Sequence, residues 1–293
     1  MDLGSSSLMN VRTLAKRLLP GFKSRLAVRR AINLPRDVFE GLTGRRDPLI
    51  PPHGLWFVGG ESDYKRVNQE YLSYFVDLAG LRPEHRILDV GCGIGVMASS
   101  LTRFLSPQGS YEGFDIVRVG IVWAQKNIAS RFPNFSFVHA DVFNKHYNPK
   151  GRLLSSSFRF PYEDASFDFV FLKSVFTHLL PDSIQNYLQE IKRVIKPTGT
   201  CLATLFLINP ESAELMSRGQ SSLNLLPYAD DCCVVDAEFP ETAVGISQSA
   251  FLQWCERSGL SPKSRIHYGS WCGRQEYLTY QDIVLLSSTD PRL

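Results

Sequence analysis

"LDVGCGIG", Leu88 to Gly95, joins the end of an apolar strand to the start of a helix. An acid closes the strand, and glycines fill positions 91, 93 and 95. Glycine loses more backbone freedom on folding than any other residue, so three at alternate positions need a reason. A ligand lying close against the main chain supplies one. In doubly wound sheets ligands bind beyond the carboxyl ends of the strands. The helix start behind such a turn also offers free amides.

The surrounding chain has the pattern of such a sheet. "RILDV", "SYEGFD", "FSFVHAD", "FDFVFLKS" and "GTCLATLFLI" read as apolar strands. "GVMASSLTRFL", "GIVWAQKNIASRF" and "SIQNYLQEIKRVI" read as the helices between them. Continuous apolar strands alternating with amphipathic helices specify a parallel sheet covered on both faces. Upstream, Tyr64, Val67, Tyr71, Leu72, Phe75 and Leu78 fall at helical spacing and end at Gly80. Downstream, residues 209–246 break the rhythm. They are rich in Ser, Pro and acids and read as an irregular insertion, of a length that inside a compact domain is usually functional or disordered. "SQSAFLQWCERSGL" then predicts a helix with a serine cap. "SRIHYGS" and "YQDIVLLS" predict two closing antiparallel strands. The expected fold is α/β: a doubly wound, Rossmann-like sheet of about seven strands, mostly parallel with an antiparallel C-terminal strand and helices on both faces.

A glycine-rich turn alone is weak support for any one ligand. A dinucleotide site reads GxGxxG; here the spacing is GxGxG, and Val96 stands where the third glycine would be. Asp89 precedes the first glycine by two, and a carboxylate beside a pyrophosphate would repel it. It suits a ligand with a cationic amino group. At this point "LDVGCGIG" resembles the first motif of the class I S-adenosylmethionine-dependent methyltransferases, of small-molecule type. The resemblance runs in order over about residues 55–290. It implies S-adenosyl-L-methionine as cofactor and a cofactor site of Asp89, Gly91, Cys92, Gly93, Gly95, Asp115, Ile116, Asp141, Val142 and Lys173. Asp115, in "GFDI", stands where the family holds both ribose hydroxyls. Asp141, in "HADVF", stands where it contacts the adenine amino group, with the Val142 amide offered to the ring. Cys92 reads as a small packing residue without chemistry. Lys173 stands where many relatives have Asn; its carbonyl is expected to face the methionine amino group and its ammonium to point elsewhere. "EIKRVIKPTGT" resembles the helix and turn before strand five, with Thr198 in place of the usual first glycine.

His178, in "SVFTHLLP", is the catalytic candidate. It follows strand four, on the rim facing the transferable methyl group, and histidine accepts protons near neutral pH. A histidine that caps or packs the next helix is the other reading. No acidic cluster has the layout of a magnesium site, so no metal is expected.

Composition narrows the rest. A 293-residue chain, 44% hydrophobic and 21% charged, is long enough for a substantial core. Its longest apolar runs are too short to cross a bilayer. Six cysteines without CxxC spacing, and no secretory signal, point to free thiols in the cytoplasm. Residues 1–50 hold ten Lys/Arg and four Asp/Glu, a net of +6, which leaves −3 for residues 51–293. A body of that charge argues against nucleic acid as a partner. Residues 1–50 read as a basic helical arm broken at Pro20 and Gly21, and residues 51–293 as the methyltransferase domain with a lid at 209–246. The arm suits a packed helix, a dimer contact or a peripheral membrane contact. A transit peptide is a further reading, without an evident cleavage point.

The resulting expectation is methyl transfer to a small-molecule acceptor, on a hydroxyl of a sugar, phenol or other metabolite. Alternatives are a protein or RNA methyltransferase, a lipid or quinone methyltransferase held at a membrane by the arm, and a binding module that has lost catalysis.

Overall fold

A computed structural model describes residues 21–57 and 64–289. The first half of the basic arm and the glycine pair of "LWFVGG" lie outside the described residues. The chain divides into two compact units, residues 1–65 and 66–293.

In the first unit, α1 (Phe22–Leu42) runs through Pro35 without burying a single residue. Its two acids hold the segment that follows. Asp37 accepts the main-chain N–H groups of His53 at 2.7 Å and Gly54 at 2.9 Å. Glu40 meets His53 Nε2 at 2.8 Å and Arg36 Nε at 2.9 Å. Asp37, Glu40 and His53 are ligand types gathered within 4.8 Å. Their carboxylate oxygens are already used as acceptors, so the cluster acts as a clasp.

In the second unit, α2 (Tyr64–Asp77) precedes β1 (Arg86–Val90), α3 (Val96–Leu101), β2 (Ser110–Asp115), α4 (Arg118–Ala124), β3 (Phe135–His139) and β4 (Phe167–Leu172). Next come α5 (Pro181–Val194), β5 (Ile195–Ile208), α6 (Pro210–Ser217), β6 (Leu226–Ala229), β7 (Cys232–Val234) and β8 (Val244–Ser247). α7 (Gln248–Arg257), β9 (Leu260–Pro262) and β10 (Asp282–Ser288) end the chain.

Pairing gives the order β3-β2-β1-β4-β5, all parallel, continued by β10 and β9 through antiparallel pairs. The mostly parallel order and the antiparallel C-terminal strand are as expected, but with β8, β7 and β6 the sheet has ten strands where about seven were expected. Side chains alternate across a strand. Leu88, Val90, Val170 and Leu172 thus join Ile184, Leu188 and Ile191 of α5 and Phe251 of α7 in one buried cluster. On the other face, Phe75 of α2 meets Phe169 and Phe171 at ring distances of 5.1 and 4.6 Å. Between β1 and β4 the strand order reverses, and the glycine turn lies at that carboxyl end, where ligands bind such sheets.

Two expectations need correction. Residues 209–246 are not irregular. β5 is long enough that Phe206–Ile208 pairs with β8, and β7 and β6 extend the sheet from there. Val234, Val244 and Ile246 enter the main core. The acidic "ADD" is only the β6–β7 turn, with Asp231 at φ 60. Asn209 and Ser212 form a reciprocal cap on α6. "SRIHYGS" is not a strand; it makes one bridge, His267 to Ile283. It curls around Asp282, which accepts from Gly269 N at 2.6 Å and Trp271 Nε1 at 2.9 Å. The serine cap of α7 is present: the Ser247 side chain accepts from Ala250 N.

Candidate active site

All three turn glycines are left-handed, with φ of 77, 60 and 79 at Gly91, Gly93 and Gly95. Packing explains two of them without a ligand. A Cβ at position 91 would lie 2.5 Å from Val175 Cγ2, and one at position 95 would lie 2.8 Å from Ile128 Cδ1. Gly93 donates its N–H to Asp115 Oδ2 at 2.8 Å. Cys92 is buried and fills the space above Gly113, where any Cβ would meet it at 2.9 Å. Burial pushes its thiol pKa well up, so it stays unionised.

Asp115 ends β2 with its carboxylate buried. Besides Gly93, it takes Val117 N–H on Oδ1 at 2.7 Å. Burial raises its pKa, and the main-chain donors of Val117 and Gly93 pull the other way. Each oxygen has accepted one bond from these amides, and a carboxylate oxygen can accept two. Asp89 ends β1, 3% exposed, and its Oδ2 accepts the Tyr111 hydroxyl at 2.6 Å. Burial lifts its pKa to about 7; the Tyr111 bond opposes this, Asp115 adds to it, and Lys173 opposes it weakly. Two buried carboxylates at one turn favour a cationic ligand and would repel a pyrophosphate.

Beyond β2, the Ile116 carbonyl meets His139 Nε2 at 3.2 Å. Asp141 is engaged on the surface by Arg152 Nε at 2.7 Å and Asn148 Nδ2 at 3.4 Å. Asp141 O and Phe143 N both bond to Leu153, which turns the Val142 N–H to the opposite side. That amide belongs to a buried residue and has no acceptor among the described residues.

The exit of β4 carries the remaining groups. Ser174 adopts φ 59, a conformation that costs a residue with a side chain about 1–2 kcal/mol. It is held there by Thr204 Oγ1, which accepts its N–H at 2.8 Å, and by Gln281 Oε1, which accepts its hydroxyl at 3.0 Å. The Lys173 ammonium does not point away from the site. It lies 4.7 Å from the Tyr71 ring centroid and is attracted by Asp89, while burial lowers its pKa. It has no ion pair among the described residues. Asn68, one turn before Tyr71, is 1% exposed; its Nδ2 donates to Val96 O at 2.9 Å and its buried Oδ1 receives no bond.

His178 Nδ1 donates to the Glu241 carbonyl at 2.9 Å, which leaves Nε2 as the lone-pair atom of the neutral ring. Burial lowers its pKa, against the pull of the Glu241 and Thr242 carbonyls. The same segment is fastened to the loop after β3. Lys145 Nζ reaches Glu238 O at 2.7 Å, its N–H reaches Glu241 Oε2 at 3.1 Å, and its ammonium sits 4.3 Å from the Phe239 ring centroid.

Residues 87–199, the stretch holding the turn, Asp115, Asp141 and His178, match the family described as a methyltransferase domain. Over those residues the chain carries a methyltransferase domain. The donor that such a domain implies is S-adenosylmethionine. Among curated relatives is phthiotriol/phenolphthiotriol dimycocerosates methyltransferase 1 of Mycobacterium ulcerans, 37% identical over 139 residues, which is 47% of this chain and 42% of that protein. A sterol 24-C-methyltransferase of Gibberella zeae is 26% identical over 150 residues, 50% of this chain and 34% of that one. The match thus spans under half the length of either relative. Among solved structures, the PH0226 protein of Pyrococcus horikoshii shares the fold, with TM-score 0.54, 16% identity, and coverage of 78% of this chain and 92% of that one. No helix among the described residues is long and apolar enough to cross a membrane.

The residues present fit that donor. The buried carboxylates of Asp89 and Asp115 suit a ligand that carries a cationic amino group and a diol, and Asn68 Oδ1 is a buried acceptor that receives no bond among the described residues. Sequence reading missed Asn68, the Ser174–Thr204–Gln281 brace and the Lys145 latch. Only Asn68 left a trace, as a polar residue on the buried stripe of an amphipathic helix.

Proposed function

We propose that this domain transfers the methyl group of S-adenosylmethionine to a hydroxyl of a small, lipid-like acceptor, with His178 as general base. The observation that carries the base assignment is the Nδ1 bond to the Glu241 carbonyl. It fixes the tautomer, and the lowered pKa keeps the ring neutral and able to accept a proton at pH 7.

In this reading the glycine turn and Asp89 hold the methionine end, together with the Lys173 carbonyl. Asp115 takes the ribose hydroxyls with Ile116 beside it, and Asp141 and the Val142 amide read the adenine. The bound donor supplies a methyl group on a sulfonium, which is already an excellent leaving group. What the protein adds is alignment and exclusion of water. As the acceptor oxygen bonds to carbon, His178 Nε2 takes the hydroxyl proton. The 236–242 segment, latched by Lys145, acts as the lid over the acceptor.

The relatives' names support an apolar acceptor, since dimycocerosates and sterols are lipids. The sterol relative is named for methylation at carbon, so the acceptor atom must be tested directly. The experiment is transfer of a labelled methyl group to a panel of hydroxylated lipids, phenols and sugars, with fragment masses locating the label. Methyl ethers are expected. His178→Ala should lower turnover by about 10²–10⁴-fold with cofactor affinity unchanged, and His178→Gln should not rescue it. A mutant within about threefold of wild type would leave no room for general-base help on that scale. Label on carbon would overturn the hydroxyl.

A further inference from the structure

The charges of α1 are sorted by side. Both of its acids, Asp37 and Glu40, are spent on the 46–54 segment and on Arg36. The exposed charged residues of α1 are all basic: Lys23, Arg29, Arg30 and Arg36, the last of them paired with Glu40. An ordinary solvated helix mixes the two signs.

Apolar residues are sorted too. At 100° per residue, Val28, Ile32 and Phe39 fall within about 40° of one another, with Pro35 and Leu42 adjoining. Val28 is 41% exposed, Ile32 72%, Phe39 53% and Leu42 85%. Arg29 and Arg36 flank that stripe on one side. The Arg45 guanidinium adds a cation 5.3 Å from the Phe39 ring centroid. The helix thus presents large apolar side chains beside cations, on a unit whose first fifty residues carry a net +6.

We infer that α1 is a docking surface for an anionic lipid bilayer, lying in the interface with Val28, Ile32, Phe39 and Leu42 inserted and its basic residues at the headgroups. Basic amphipathic helices bind in this way, by apolar burial plus attraction to anionic lipid. A second copy of this chain fits the same face poorly, because a two-fold contact would set arginines against arginines. The inference goes beyond the proposed reaction and stands on α1 alone, whatever the acceptor.

The test is co-sedimentation of the full chain with vesicles of phosphatidylcholine, with and without phosphatidylglycerol. Binding is expected only where phosphatidylglycerol is present, and it should weaken as salt screens the charges. Ile32→Glu with Phe39→Glu should reduce it by roughly tenfold or more. Because α1 buries no residue, this pair should leave the circular dichroism spectrum and cofactor affinity unchanged. Arg29→Gln with Arg30→Gln should weaken binding to the anionic vesicles without altering either control. Equal sedimentation of wild type and the Glu pair would overturn the inference. So would equal binding to both vesicle types, or a dimer in light scattering that the Glu pair dissociates while vesicle binding persists. Methyl transfer to a dispersed acceptor reports on the proposed reaction separately.

Discussion

Asp89 couples folding, protonation and cofactor binding. Its carboxyl is 3% exposed and titrates near 7 in the folded chain, against 3.8 as a free group. A pKa raised by folding means that the folded state holds the proton more tightly. Its contribution is therefore fully present below about pH 4 and is lost as pH rises through 7. A shift of about three units corresponds to about 4 kcal/mol in total. Asp89→Asn keeps the shape and an acceptor for the Tyr111 hydroxyl, and it removes the ionisation. The variant without cofactor should thus be more stable than wild type at pH 8, with the advantage growing by about 2–3 kcal/mol between pH 5 and pH 8. Urea unfolding of both proteins across that range measures this. Cofactor affinity should move the opposite way, because the cationic ligand draws the ionised carboxylate. Binding near pH 7 should release a fraction of a proton, seen by calorimetry in buffers of different ionisation enthalpy, and Asp89→Asn should abolish that release. Unfolding curves whose separation does not change from pH 5 to pH 8 would refute the reasoning, since Asp89 would then ionise like an exposed acid.

Asp115→Ala should weaken S-adenosylmethionine binding by roughly 1–3 kcal/mol in calorimetry; unchanged affinity would remove Asp115 from the ribose role. The wild-type rate should fall as pH drops below about 6.5, because His178 must be neutral to accept a proton and its pKa lies below the usual value. Lys145→Ala should speed proteolysis within 236–242, and cofactor plus acceptor should slow it; equal protection throughout would make the segment a fixed wall. Asp282→Ala leaves the buried guanidinium of Arg274 and the amides of Leu207 and Gly269 short of an acceptor. It should cost about 3–5 kcal/mol in denaturant unfolding.

The sheet was written in the sequence because both of its signals are local. Apolar runs such as "FDFVFL" cannot be solvated, and the amphipathic stripe of "SIQNYLQEIKRVI" has one place to go. The glycine turn was legible for a related reason: positive φ at 91, 93 and 95 is a property of the backbone. Sequence could not say why a side chain is forbidden at 91 and 95. Val175 and Ile128 forbid it, and they arrive there only when β4 and the helix after β2 pack. The 209–246 segment was misjudged because its strands are three or four residues long and its turn is acidic. Pairing with the overhanging end of β5, distant in sequence, is what makes them strands. The same holds for the site. Asp115 and His178 stand at strand ends that periodicity locates. The state of Asp89, the tautomer of His178 and the place of the Lys173 ammonium were decided by Tyr111, Glu241 and Tyr71. Those partners lie 22, 63 and 102 residues away in sequence, and only burial in a shared interior gives their contacts the strength to set a proton.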